Sequence, residues 1–192
     1  MPAPTVLTVR QRILAAAARL FRRRGYAATS VRDIAKEVGL GASSLYNHVD
    51  SKQYILHEIC FASAAQFETG LTRIETSDLG FAERLRALIG LHVELALSRP
   101  ETVTVFNDEW QHLNEPALSQ FLRKRREYEA RVAAMLRRSR STRELAVEVP
   151  EDVAVSTLLA SLSWVYSLRD APSHRVERLT AEIYGLWSTG WL

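Results

Sequence analysis

One cysteine in 192 residues, Cys60, has no partner to pair with, which excludes an internal disulfide framework and any CxxC metal or redox motif. A reducing, cytoplasmic compartment is expected. No run of about 18 apolar residues exists to cross a bilayer, and Met1–Arg10 lacks the apolar core of a secretory signal, so a soluble chain without membrane attachment is expected. Gly/Ser and Pro tracts are missing as well, and with them any sign of a disordered linker. Alternation of apolar and polar residues never persists long enough to predict a strand, and there is no internal repeat. No cofactor-binding motif is present, and no cofactor is expected.

What the chain does have is 47% hydrophobic residues distributed along its whole length, enough for one large core or a small domain joined to a larger one. The net charge of +3 conceals an asymmetry: residues 1–52 hold nine Arg and Lys against three acids, while the remainder is net acidic. A basic module on a mildly acidic body is the electrostatic footprint of a chain whose first part meets a polyanion. It is equally compatible with an ordinary solvated basic face.

Helical periodicity accounts for every window. Val9, Ile13, Ala17, Leu20 and Phe21 share one face of a first helix that Gly25 ends. Ser30, with Asp33 three residues later, caps a short second helix whose buried stripe is Val31, Ile34, Ala35 and Val38. After Gly39 a third helix of about seven residues buries only Leu45 and Val49, with part of Leu40, and turns its remaining side chains outward. Ser51 caps a fourth, longer helix carrying Ile55, Ile59, Ala62 and Phe67. Prolines at 100, 116, 150 and 172 punctuate five further helices, at roughly 80–98, 101–112, 116–141, 151–168 and 174–188. The fold expected is all-α with about nine helices: a three-helix helix-turn-helix domain over residues 1–52 and a helical regulatory and dimerisation domain over 53–192.

Two short helices joined by a tight glycine turn form the helix-turn-helix, in which the second offers a polar face to the major groove. Gly39 lets the chain reverse, Leu40 plugs the joint, and the small residues Gly41, Ala42, Ser43 and Ser44 let the backbone approach base edges. The strings Thr29-Ser-Val-Arg-Asp-Ile-Ala35, Val38-Gly-Leu40 and Ser44-Leu-Tyr-Asn-His-Val-Asp-Ser-Lys52 resemble the DNA-binding domain of the TetR family of regulators, with residues 9–56 covered almost without interruption.

The resemblance implies double-stranded operator DNA as partner. Ser30 then caps its helix against a phosphate, Arg32 reaches a phosphate or a guanine edge, and Gly41, Ala42 and Ser43 lie at the tip that meets bases. Ser44 and His48 occupy phosphate-bonding positions, Tyr46 a backbone position that also meets thymine methyls, and Lys52 a phosphate-binding helix start. Arg32 and Asn47 are the candidates for sequence choice, since Ala42 and Ser43 offer no bidentate base contact. Gly41 departs from the family's usual Ser or Thr, which weakens one helix cap.

Beyond residue 53 the resemblance implies architecture: a ligand-binding body whose last two helices pair with a second copy, making a homodimer. Val155, Leu158, Leu159, Leu162 and Val165 form one apolar stripe, and Val176, Leu179, Ile183, Leu186 and Trp187 another. They could equally seal the chain's own core. Phe106-Asn-Asp-Glu-Trp-Gln-His-Leu113, Arg123-Lys-Arg-Arg-Glu-Tyr128 and Ser163-Trp-Val-Tyr166 resemble family members that sense acyl-CoA thioesters, although Ser167-Leu-Arg-Asp170 departs from that pattern. Phe61, Phe67, Phe106, Trp110, Tyr128, Trp164 and Tyr166 are candidate pocket walls, with Asn107, Glu109 and His112 as polar groups and Arg125, Arg126 or Arg169 for an anionic head.

Other classes remain open: a family regulator of drug efflux sensing hydrophobic compounds, or a helical interaction module. Catalysis would have to rest on His57 and Cys60, or on Asp108 and His112. Neither pair has a third member, and no enzyme activity is expected.

Overall fold

The computed structural model describes residues 7–140, 150–168 and 175–191, and among them there are nine α-helices and no strand. They are α1 Val9–Arg24, α2 Val31–Glu37, α3 Ala42–Leu45, α4 Lys52–Glu75, α5 Phe81–Ser98, α6 Pro100–Thr104, α7 Ala117–Arg140, α8 Glu151–Ser163 and α9 Arg175–Trp191. The all-α expectation holds. Arg169 and Asp170 lie outside the described residues.

Local chemistry explains the first helices. Thr8 and Gln11 close a capping box at the start of α1, its last turn carries Arg22, Arg23 and Arg24 against the negative helix end, and Gly25 stops it at a φ of +83°. At α2 the Ser30 hydroxyl accepts the Asp33 N–H at 3.1 Å, while the Asp33 carboxylate accepts the Ser30 N–H at 2.9 Å. Gly39, at φ +73°, makes the turn into α3. That helix has four residues rather than the seven expected: Gly41 offers no side chain to cap it, and the tighter His48 N–H to Leu45 C=O bond, 2.9 Å, closes the chain into a turn over 46–48.

The expected helix over 101–112 is also interrupted. After α6 come a π-helical turn, Val105–Glu109, and a 3-10 turn, Trp110–His112. The wider turn changes the helical phase, so Val105 is buried while the rings of Phe106 and Trp110 both reach Phe121, at 5.5 and 6.1 Å between centroids.

The chain divides into two compact units, one built from residues up to Ser63 with Glu101–Phe121, the other from Ala64–Pro100 with the residues from Leu122 onward. In the first, Ile13, Leu20 and Phe21 of α1 and Ile34 of α2 are buried, and so are Leu45 and Val49. On α4 the buried face runs through Ile55, Ile59, Ser63, Phe67 and Leu71 at four-residue steps; Ala62, expected in that stripe, falls off its phase and is exposed.

In the second unit α8 and α9 pack on α5. Leu158, Leu162, Val165, Leu179, Ile183 and Trp187 are buried within the single chain and belong to its own core. Leu186, 74% exposed, is the member of that set that faces outward. Val153 and Trp164 accompany it among the exposed large apolar side chains of the last helical segments.

Candidate functional site

On α3 and the turn that follows, a single buried side chain carries an entirely outward polar set. Leu45 is 0% exposed, whereas Gly41, Ser43, Ser44, Tyr46, Asn47 and His48 are exposed and Ala42 is half-buried. Among the described residues the side chains of Ser43, Ser44, Tyr46, Asn47 and His48 have no hydrogen-bond partner in the protein. A row of hydroxyl, amide and imidazole donors beside small residues, left unpaired on a short helix, suits phosphate oxygens and base edges. Arg32, one turn into α2, is likewise exposed and without a partner among the described residues.

Two predicted contacts behave differently. The Ser30 hydroxyl donates to the Asp33 carboxylate at 2.6 Å, which, with the Ser30 N–H, holds Asp33 below its ordinary pKa. Ser30 is thus occupied in capping its own helix. Lys52 has partners within the chain: its ammonium donates to the carbonyls of Tyr26 and Thr29, both at 2.9 Å, and sits 4.0 Å from the centre of the Tyr26 ring. Two of its three N–H bonds are therefore spent on the turn between α1 and α2, and the cation is half-buried against an aromatic face.

That turn is held from other sides too. Gln53 donates to the Tyr26 hydroxyl at 2.8 Å and to the His112 carbonyl at 2.7 Å and accepts from the Asn114 N–H, while the His112 ring stacks on Tyr26 at 5.2 Å. Lys52→Met is expected to weaken DNA binding about tenfold by loosening the turn, yet to leave the slope of log K against log salt unchanged; a lost phosphate contact on each protomer of a dimer would reduce that slope by about two. Salt titration of the two proteins separates these outcomes.

Phe61, Phe106 and Trp110 surround Phe121 in the first unit, with His57 stacked on Phe61 at 4.1 Å. Phe67 and Tyr128 belong to the second unit and meet around His92, which is not among the predicted wall residues. A lone histidine in the apolar run Leu88–Val93 was the signal available for it. Trp164 is 46% exposed and Tyr166 half-buried. Glu109 pairs with His112 at 3.5 Å, Asn107 is half-buried, and Asp108 is exposed. Arg126 is exposed and Arg125 half-buried.

Cys60 sits where a thiol is least reactive. Burial, with a smaller contribution from Glu109, pushes its thiol up to about 12, so it stays protonated and a poor nucleophile. Among the described residues no three His, Cys, Asp or Glu side chains cluster as metal ligands do, and no helix is long and apolar enough to cross a membrane.

Comparison with known proteins gives the same frame. The family model for bacterial regulatory proteins of the tetR family matches residues 13–59, and that for the tetracyclin repressor-like C-terminal domain matches residues 78–167. Over 104 residues the chain is 36% identical to the HTH-type transcriptional repressor KstR2 of Rhodococcus jostii, a stretch covering 54% of this chain and 51% of that protein. The chain thus spans about half the length of the curated relatives it matches. The structure of the ketosteroid transcriptional regulator KstR2 of Mycobacterium tuberculosis superposes with a TM-score of 0.90 at 22% identity, covering 98% of this chain and 97% of the other. The structure of AibR in complex with isovaleryl coenzyme A and operator DNA gives a TM-score of 0.80 at 22% identity, covering 92% of this chain and 96% of the other. At such identities these structures show the shared fold.

Proposed function

Since the chain belongs to the TetR family of bacterial regulatory proteins, we propose that it is a sequence-specific transcriptional repressor whose residues 1–52 bind operator DNA and whose residues 53–192 release it when a small molecule binds. The observation that carries the DNA-binding reading is the unpartnered polar face Ser43 to His48, held outward by buried Leu45, with Arg32 exposed one helix earlier. Ser44, Tyr46 and His48 bond phosphates, Arg32 and Asn47 choose the sequence, and Lys52 with Ser30 holds the turn that presents them.

Acyl-CoA thioesters are the effector class we favour, supported by the segment resemblance over 106–166 and by the isovaleryl coenzyme A bound to AibR. Release requires that the effector bind the non-DNA-binding state more tightly; equal affinity for both states shifts nothing. The working form is a cytoplasmic homodimer, because two recognition helices then meet half-sites about 34 Å apart. Its contact includes the outward Leu186, with Val153 and Trp164, rather than the seven buried residues of the apolar stripes.

A mobility-shift assay on DNA from upstream of the protein's own gene tests this reading. The protein is expected to retard the fragment and to let go on addition of an acyl-CoA. Failure to bind any such fragment overturns the regulator reading, and release by free hydrophobic compounds but no thioester transfers the effector to the drug-sensing class.

A further inference from the structure

Residues up to Ser63 and Glu101–Phe121 belong to one compact unit, so a strap from the second half of the chain packs with the helix-turn-helix. They meet at the turn Gly25–Thr29, which sets the direction in which α2 leaves α1. The Thr29 hydroxyl closes that turn from within by donating to the Gly25 carbonyl at 2.8 Å, and Lys52 ties it to α4. Its aromatic side chain, Tyr26, is 7% exposed; it meets Phe21 edge-on, with centres 5.2 Å apart, and stacks on His112 at 5.2 Å. These contacts bury the ring, and Gln53 fixes the direction of its hydroxyl.

Gln53, half-buried at the second position of α4, is where turn and strap are joined. Its carboxamide is used in both senses: Nε2 donates one hydrogen to the Tyr26 hydroxyl at 2.8 Å and the other to the His112 carbonyl at 2.7 Å, while Oε1 accepts the Asn114 N–H at 3.2 Å. Both strap partners are backbone groups, so Gln53 fixes the path of the strap. Leu113 between them is 3% exposed, which pins that path into the core. A neutral hydrogen bond changes an equilibrium by about two- to tenfold, little beside a core that holds Ile13, Phe21, Ile34 and Leu45. Its leverage is directional. Reading base edges requires side chains held within about 0.5 Å of their places, whereas attraction to phosphates is long-range and tolerates displacement.

We propose that Gln53 is a positioning residue for operator recognition, clasping the turn ahead of α2 to the strap at 112–114 so that the outward face of α3 meets base edges in register. The proposal rests on the DNA-binding reading given above. Gln53 carries no charge and acts through Tyr26 and the strap backbone, so it governs the preference among sequences and leaves phosphate attraction untouched.

Fluorescence anisotropy with the upstream fragment and with an unrelated duplex of equal length tests it, on the full chain as wild type, Gln53→Met, Tyr26→Phe and the double variant. Gln53→Met keeps the length of the side chain and loses its donors and its acceptor. It is expected to bind the upstream fragment at least about tenfold more weakly, with affinity for the unrelated duplex within about twofold of wild type. Tyr26→Phe keeps the ring and gives up one of the three bonds, and is expected to lose about threefold on the upstream fragment alone. Being the milder change, it decides the question should Gln53→Met not fold; a thermal midpoint within about 5 °C of wild type shows that a variant is folded. Because the Tyr26 hydroxyl acts through Gln53, adding Tyr26→Phe to Gln53→Met is expected to cost less than about twofold more. Unchanged affinity for the upstream fragment, equal loss on both duplexes, or a double variant whose losses multiply overturns the clasp. Wild-type protein that does not prefer the upstream fragment removes the sequence-specific reading itself, a result distinct from a preference lost only in the variants.

Discussion

Operator binding is expected to weaken about a thousandfold when salt is raised from 50 to 200 mM. The estimate comes from counting cations that remain available. Of the nine Arg and Lys in residues 1–52, Arg10 is bound to Glu58 and Tyr54, Arg12 to the Val38 carbonyl, Arg19 to Glu37, Arg22 to Glu101, and Lys52 to two carbonyls. Arg23, Arg24, Arg32 and Lys36 are exposed. About three of these per protomer on phosphates give a dimer roughly six charge contacts and a slope near −5, the shallow end of the range for DNA-binding proteins; the hydroxyls and imidazole of the recognition face bond phosphates without displacing counterions. Fluorescence anisotropy across a salt series measures the slope. A slope near zero contradicts phosphate binding, and one near −10 would require the ion-paired arginines to leave their carboxylates.

Leu45→Ala is expected to lower the unfolding free energy of the first unit by about 2–5 kcal/mol, and to abolish operator binding with it. A four-residue helix has no stability of its own, and Gly41 gives α3 no side-chain cap, so the element exists because Leu45 is fully buried with Val49 close behind. Truncation removes most of that anchorage. Asn47→Ala, two residues on and exposed, is expected to change stability by less than about 0.5 kcal/mol. Urea unfolding followed by circular dichroism checks both; equal behaviour of the two variants would mean that α3 is held by something other than its buried leucine.

The first fifty residues were legible in the sequence because their determinants are local. The Ser30–Asp33 box, the glycines at 25 and 39 and the helical phase of Ile13, Leu20, Ile34 and Leu45 each operate within one or two turns, and the structure reproduces them. The partners of Lys52, Tyr26 and Thr29, were not legible because they lie more than 20 residues upstream, and nothing local tells a lysine displayed to solvent from one folded onto an earlier turn. The C-terminal stripes were ambiguous for a related reason. An apolar face at helical spacing is the same whether it meets α5 or a second chain, and only the packing of α8 and α9 on α5 decides. The π-helical turn at 105–109 has no local mark such as a proline or glycine, and it changes which aromatic residues meet. His92 was overlooked because a histidine within an apolar run reads as a core residue until its partner from α7 is known.

The central claim is that the outward face of α3 and its neighbour Arg32 bind operator DNA. The double variant Arg32→Ala with Tyr46→Ala tests it most directly, since both side chains are exposed and neither supports the fold. Its thermal midpoint is expected to match the wild type, while its affinity for the upstream fragment falls by at least about a hundredfold, two contacts being lost on each protomer. Unchanged affinity in the folded double variant would contradict the claim.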